Sequence, residues 1–123
     1  EKAFLKQLPD FRTYEDAPLT ELPFVTESST WSVPQELGFM DATQVGREYA
    51  AHFSQYLKDN PSTVDSSALA ALASGTKGGP AGFRIGFFTY LQRLIRAQAQ
   101  TFDLFENLAR EHEAYLQLRN ELN

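Results

Sequence analysis

From Pro80 to the C-terminus the apolar residues recur at helical spacing. Phe83, Phe87, Leu91, Leu94, Ile95, Phe102, Phe105, Leu108, Tyr115 and Leu118 fall near one broad stripe of an α-helix. No proline follows Pro80 and no glycine follows Gly86, so no strong breaker interrupts the stripe. A helix of about 40 residues would run about 60 Å. A domain of this size cannot cover that length alone, so the stretch either breaks or packs against another copy. Phe88, Ile95, Phe102, Ala109 and Leu116 keep a heptad spacing, and Leu91, Gln98, Phe105 and His112 form a companion row. Gln98, His112 and Arg119 spoil a strict coiled-coil seam. Beyond Arg110 the anchors are Tyr115, Leu116, Leu118 and Leu122. Either this end projects and frays, or a partner covers it.

Upstream the pattern is more broken. Phe4, Leu5 and Leu8 predict a short helix over Glu1–Leu8, stopped by Pro9. Pro9, Pro18, Pro23 and Pro34 then interrupt every candidate helix up to residue 40. Phe24–Thr26 and Thr30–Val33 have strand-forming composition, and Glu27–Ser29 between them suits a tight turn. The alternative is an extended arm laid over the helices, with Phe24, Trp31 and Phe39 as its pegs. Val45, Tyr49, Phe53, Tyr56 and Leu57 then predict a helix over about 42–58, with Asp41 or Thr43 as N-cap and Asn60–Pro61 as its end. Ser62 or Thr63 is placed to cap a third helix with Val64, Leu69 and Leu72 on its face and Gly75 at its end. Its alanines predict a close approach to another helix, with Gly82 and Gly86 as the matching groove. Pro80 suits the first turn of the last helix.

The fold class is therefore mostly α. A short N-terminal helix and an irregular proline-rich arm with a candidate β-hairpin fill 1–40. Three main helices fill 41–123, the C-terminal one longest, in a single domain. At 123 residues the chain is long enough for a modest core. Ten Phe against one Met and one Trp predict an aromatic one. The absence of Cys excludes disulfides and thiolate chemistry. No apolar run approaches the length of a membrane span. The default expectation is a cytoplasmic protein, with a processed exported one as the alternative, since the first residue is Glu1.

Charge changes the picture more than composition does. The formal net charge is −5, unevenly spread. Residues 1–74 carry net −6, and residues 101–123 net −3. Between them, residues 75–100 carry Lys77, Arg84, Arg93 and Arg96 and no acid. These cations interleave with Phe83, Phe87, Phe88 and Tyr90, a composition that suits phosphate contacts and base stacking. The pI of about 4.9 argues against a polyanion binder. The aromatics also belong to the core stripe, and the arginines are expected to pair with the acids of the first half.

Other chemistry is thin. The glycine loop 75–82 with Lys77 lacks the phosphate-loop spacing. Glu48 and His52 are four apart, and His112 lies between Glu111 and Glu113. Neither spacing makes a zinc or di-iron set, and helix-surface pairing is the expectation. No nucleophile elbow occurs, and the paired carboxylates Glu15–Asp16 lie in the irregular arm. No catalytic, cofactor or metal residue is assigned. The function expected by elimination is a non-enzymatic protein-binding module of the acidic inhibitor, immunity, antitoxin or adaptor kind. Glu106, Glu111, Glu113, Tyr115 and Leu118 are its candidate partner contacts. The alternatives are a nucleic-acid-associated regulator using Lys77, Arg84, Arg93 and Arg96, and a Phe-lined small-molecule pocket.

Overall fold

The computed structural model describes residues 13–77 and 79–122. The helix expected over Glu1–Leu8 lies outside them. Among the described residues there are four α-helices and no strand: α1 (Phe39–Asp59), α2 (Ala68–Gly75), α3 (Ala81–Ala99) and α4 (Leu104–Leu122). Short 3-10 turns occupy Leu19–Glu21 and Pro61–Asp65. The chain divides after Leu91 into two compact units, so α3 begins in the first and ends in the second.

α1 is the longest helix, at 21 residues, so the expectation of a longest C-terminal helix is corrected. It starts earlier than its apolar spacing predicts. Gly38 is the N-cap, with no side-chain cap bond, and Thr43 instead donates its hydroxyl back to the Phe39 carbonyl at 2.8 Å. Ala42, Val45, Gly46, Tyr49, Ala50, Phe53 and Tyr56 form its buried face, the i, i+3, i+4 pattern of an amphipathic helix. The first turns of α3 lie on this face with backbones nearly touching. A Cβ on Gly46 would collide with the carbonyl of Phe83, and one on Gly86 with the carbonyl of Thr43. One on Gly82 would lie 2.7 Å from the Phe39 oxygen. Gly82 and Gly86 therefore receive α1, not the alanine-rich helix as the sequence suggests. Interlocked rings of Phe24, Trp31, Tyr49, Phe53, Phe83 and Phe87 surround the contact. Tyr49 stacks on Phe83 at 6.1 Å, and Trp31 meets Phe87 edge-on at 5.3 Å.

The arm wraps this core. Tyr14, Leu22, Phe24, Val25, Trp31 and Leu37 are buried, while Phe39, expected as a peg, is 59% exposed. Thr26 N–H donates to the Ser29 carbonyl at 2.8 Å and Ser32 N–H to the Phe24 carbonyl at 2.7 Å, closing the turn through Glu27 and Ser28. The C-terminus of α1 holds the start of the arm. Asp59 accepts the Tyr14 N–H at 2.7 Å, and the Asn60 amide donates to the carbonyls of Tyr14 and Tyr56 at 2.7 and 2.8 Å. Its oxygen accepts the Asp16 N–H at 3.0 Å, where Asp16 takes a positive φ of 56°. α2 is shorter than expected and buries only Leu72, leaving Val64 and Leu69 exposed.

In the second unit the long stripe breaks. Thr101 N–H and hydroxyl both bond the Gln98 carbonyl, at 3.0 and 2.9 Å, and close the end of α3. Asp103 then caps α4. Its carboxylate accepts the Glu106 N–H at 3.2 Å, one of the free donors of a helix start.

Candidate protein interface

α4 has 19 residues and none is buried. Among the described residues of the second unit, only Ala99 and Asn107 are even half-buried. Short helices in water draw most of their stability from packing an apolar face. Here that face is presented to solvent: Leu104, Leu108, Tyr115, Leu118 and Leu122 are all more than half exposed. Ile95 and Phe102 of the same unit are 67% and 49% exposed. The stripe read as one core face is therefore core only at Phe83 and Phe87, with Leu91 half-buried.

The five expected partner contacts all lie exposed on α4 but not on one face. At about 100° per residue, Glu111, Tyr115 and Leu118 share a side with Leu104, Leu108 and Leu122. Glu106 and Glu113 lie on the opposite side. Glu106 and Arg110 approach to 3.9 Å with both side chains largely in solvent, a pair of little energetic weight. The sequence contains the signal that resets the seam. Asp103-Leu-Phe-Glu106 has the spacing of a capping box, a helix start that needs no glycine or proline before it.

The basic stretch is divided between the units. Lys77 and Arg84 belong to the first, Arg93 and Arg96 to the second, and all four are exposed. No ion pair joins any of them to an acid among the described residues, contrary to expectation. Phe83 and Phe87 are fully buried and have no face for a base. Tyr90 is half-buried and takes the Arg47 guanidinium at 5.5 Å from its ring centre.

His52 is a second correction. It is 8% exposed, and the Tyr14 hydroxyl lies 2.8 Å from its Nδ1. Glu48 approaches Nε2 at 3.8 Å. The surface pair is in fact part of a buried tie between arm and α1. Beside it, burial and then the Glu48 charge push the Tyr49 hydroxyl up to about 12. The Tyr14 backbone N–H, and then Gln55, hold Asp59 below the usual carboxylate range. No three His, Asp or Glu converge as metal ligands among the described residues. No helix among them is long and apolar enough to cross a membrane. An open cleft of about 740 Å³ lies between the end of α1 and the start of α2, walled by Leu57, Pro61, Val64, Ala68 and Leu69. None of the described phenylalanines lines it.

Comparison with protein-family models, with curated proteins and with solved structures finds no match.

Proposed function

We propose that the chain is a non-enzymatic protein-binding module whose contact surface is α4. The observation that supports this reading is a 19-residue helix with five large apolar side chains in line and no buried residue. An apolar face of that extent on a soluble surface marks an interaction site. Acidic Glu106 and Glu113 on the other side of the same helix suit a basic protein surface, as in small acidic inhibitors, antitoxins and adaptors. A second reading rests on Arg84, Arg93 and Arg96, which are exposed with no ion-pair partner among the described residues. It loses two of its four interleaved aromatics as stacking platforms, since Phe83 and Phe87 are in the core.

One experiment separates the two. Wild type and a Leu108→Glu/Leu118→Glu variant serve as baits in native-host extract, beside a DNA and RNA shift assay over a salt series. The expected result is a protein captured by wild type alone and no salt-dependent shift. Nucleic-acid binding that weakens steeply with salt, and is lost in Arg84→Glu/Arg93→Glu/Arg96→Glu, would overturn the reading.

A further inference from the structure

We infer that the apolar face of α4 is occupied by a second copy of this chain, in an antiparallel two-helix contact centred on Glu113. The inference rests on the reading of α4 as a protein-binding surface and names its occupant. The argument begins with the phase set by Asp103. Leu104, Leu108, Glu111, Tyr115, Leu118 and Leu122 alternate spacings of four and three, the a/d seam of a coiled coil. Five of the six are large and exposed, and the sixth is a carboxylate.

That carboxylate discriminates between the two ways of pairing the helix with itself. In a parallel, in-register pair Glu111 would face the second copy's Glu111 inside the seam. Two like charges would be desolvated together, which is costly. In an antiparallel pair, a positions meet d positions of the other helix, and one register satisfies every layer. Leu104 meets the second copy's Leu122, Leu108 meets its Leu118, and Tyr115 meets its Glu111. The one acid of the seam is then apposed to the phenol hydroxyl, a donor it can use. A single polar seam residue that finds its partner in one register only is a known device for fixing orientation.

The flanks agree with this register. On one edge Phe105, which is 81% exposed, comes opposite the second copy's Arg119, a cation over an aromatic face. On the other edge Asn107 comes opposite Glu121. At the centre Ala114 meets Ala114, which lets the helices approach closely. No acid faces an acid across either edge. The pairing is two-fold symmetric, so each contact is made twice and the assembly closes as a dimer. Glu106 and Glu113 point away from the seam and stay free for a basic partner. A contact between two helices of this length is at the small end of stable interfaces, so the dimer should dissociate at micromolar concentration.

The test is sedimentation equilibrium of the full chain from about 1 μM to 1 mM, with wild type and Leu108→Glu/Leu118→Glu. The expected result is a monomer–dimer equilibrium weakened about a hundredfold or more in the variant. Trp31 fluorescence should show an unchanged core in both. The chain has no cysteine, so single labels report orientation cleanly. Spin labels on Ala114→Cys should lie within about 20 Å of each other, given an interaxial distance of about 8–10 Å. Labels on Glu121→Cys should be separated by about 24 Å along the axis, since each is eight residues from the centre. A monomer at every concentration, a dimer indifferent to the double substitution, or Glu121 labels as close as Ala114 labels would each overturn the inference. If a monomeric wild type still captures a different protein that the double variant loses, self-pairing fails while the protein-binding reading stands. If neither association is seen, both fail.

Discussion

α1 and α4 are helices of nearly equal length, and each carries an apolar face at helical spacing. One face is closed by backbone-to-backbone contact and a ring of aromatics, and the other is open. The difference lies in which residues interrupt the apolar pattern. On α1 and α3 the interruptions are Gly46, Gly82 and Gly86, whose missing side chains bring two backbones together. On α4 the interruption is Glu111, an exposed carboxylate in line with Leu108 and Tyr115. Amphipathicity thus says that a helix wants cover. The small or charged residue within the stripe says what kind of cover it can accept.

The largest expected effect breaks the closed side. Gly46→Ala or Gly86→Ala gains up to about 1 kcal/mol of helix propensity. Against this, the new methyl meets a backbone carbonyl of the facing helix, which cannot turn aside as a side chain can. The clash wins, and each substitution should lower unfolding stability by about 3 kcal/mol. Urea denaturation followed by Trp31 emission measures it. Stability equal to wild type would mean that the helices do not touch there.

Asn60→Ala comes next. It deletes the amide bonds to Tyr14 and Tyr56 and the acceptor for Asp16, so the arm loses its clamp on α1. At about 0.5–1.5 kcal/mol per bond, a loss of about 2 kcal/mol is expected. Hydrogen exchange should rise first in residues 14–17, because those amides lose their tether. Uniform loss of protection across the core would instead make Asn60 a general structural residue.

The sequence displayed the helices better than their partners. The position of α1, the burial of Trp31 and the aromatic core follow from spacing and composition. The end of α1 is legible at Asn60–Pro61, but the hold of the Asn60 side chain on the arm is not, because its partners there, Tyr14 and Asp16, lie 46 and 44 positions away. The break at Thr101–Asp103 was hidden by reliance on glycine and proline, while the capping residue itself is visible. The heptad through Phe88, Ile95, Phe102, Ala109 and Leu116 assumed one continuous helix. Once α4 restarts at Leu104, the working seam is a different set of residues. His52 was misplaced because its partner Tyr14 belongs to an arm with no periodicity to read.

A pH dependence sharpens the comparison without changing the core's shape. Tyr49 lies on the closed face with its hydroxyl pushed up to about 12, above the unfolded value of about 10. A raised acid favours the neutral folded form. This contribution is complete below about pH 10 and is lost as pH rises from there towards 12. Asp59 is held low, so its contribution is complete above about pH 4 and is lost as pH falls through its folded value. Tyr49→Phe should remove the alkaline limb, and Asp59→Asn should flatten the acid limb, both read from unfolding midpoints across pH.

The smallest expected effect is on the open side, and it is the sharpest contrast. Leu118→Ser removes a large apolar side chain from the middle of a helix, a change that in a packed core costs several kcal/mol. Leu118 is 57% exposed and is not one of the described hydrophobic residues that pack against the core. At concentrations where the chain is monomeric, the Trp31-monitored transition should therefore move by no more than about 0.5 kcal/mol. The far-UV helical signal carries the other half of the prediction. In wild type it should fall on dilution, as α4 loses the cover that holds it. In Leu118→Ser it should stay at the diluted value even when the protein is concentrated, since both Leu108–Leu118 layers of the seam are lost. A core transition shifted by several kcal/mol in the dilute variant would mean that Leu118 is packed within its own chain, and the open face of α4 would have to be redrawn as part of the closed one.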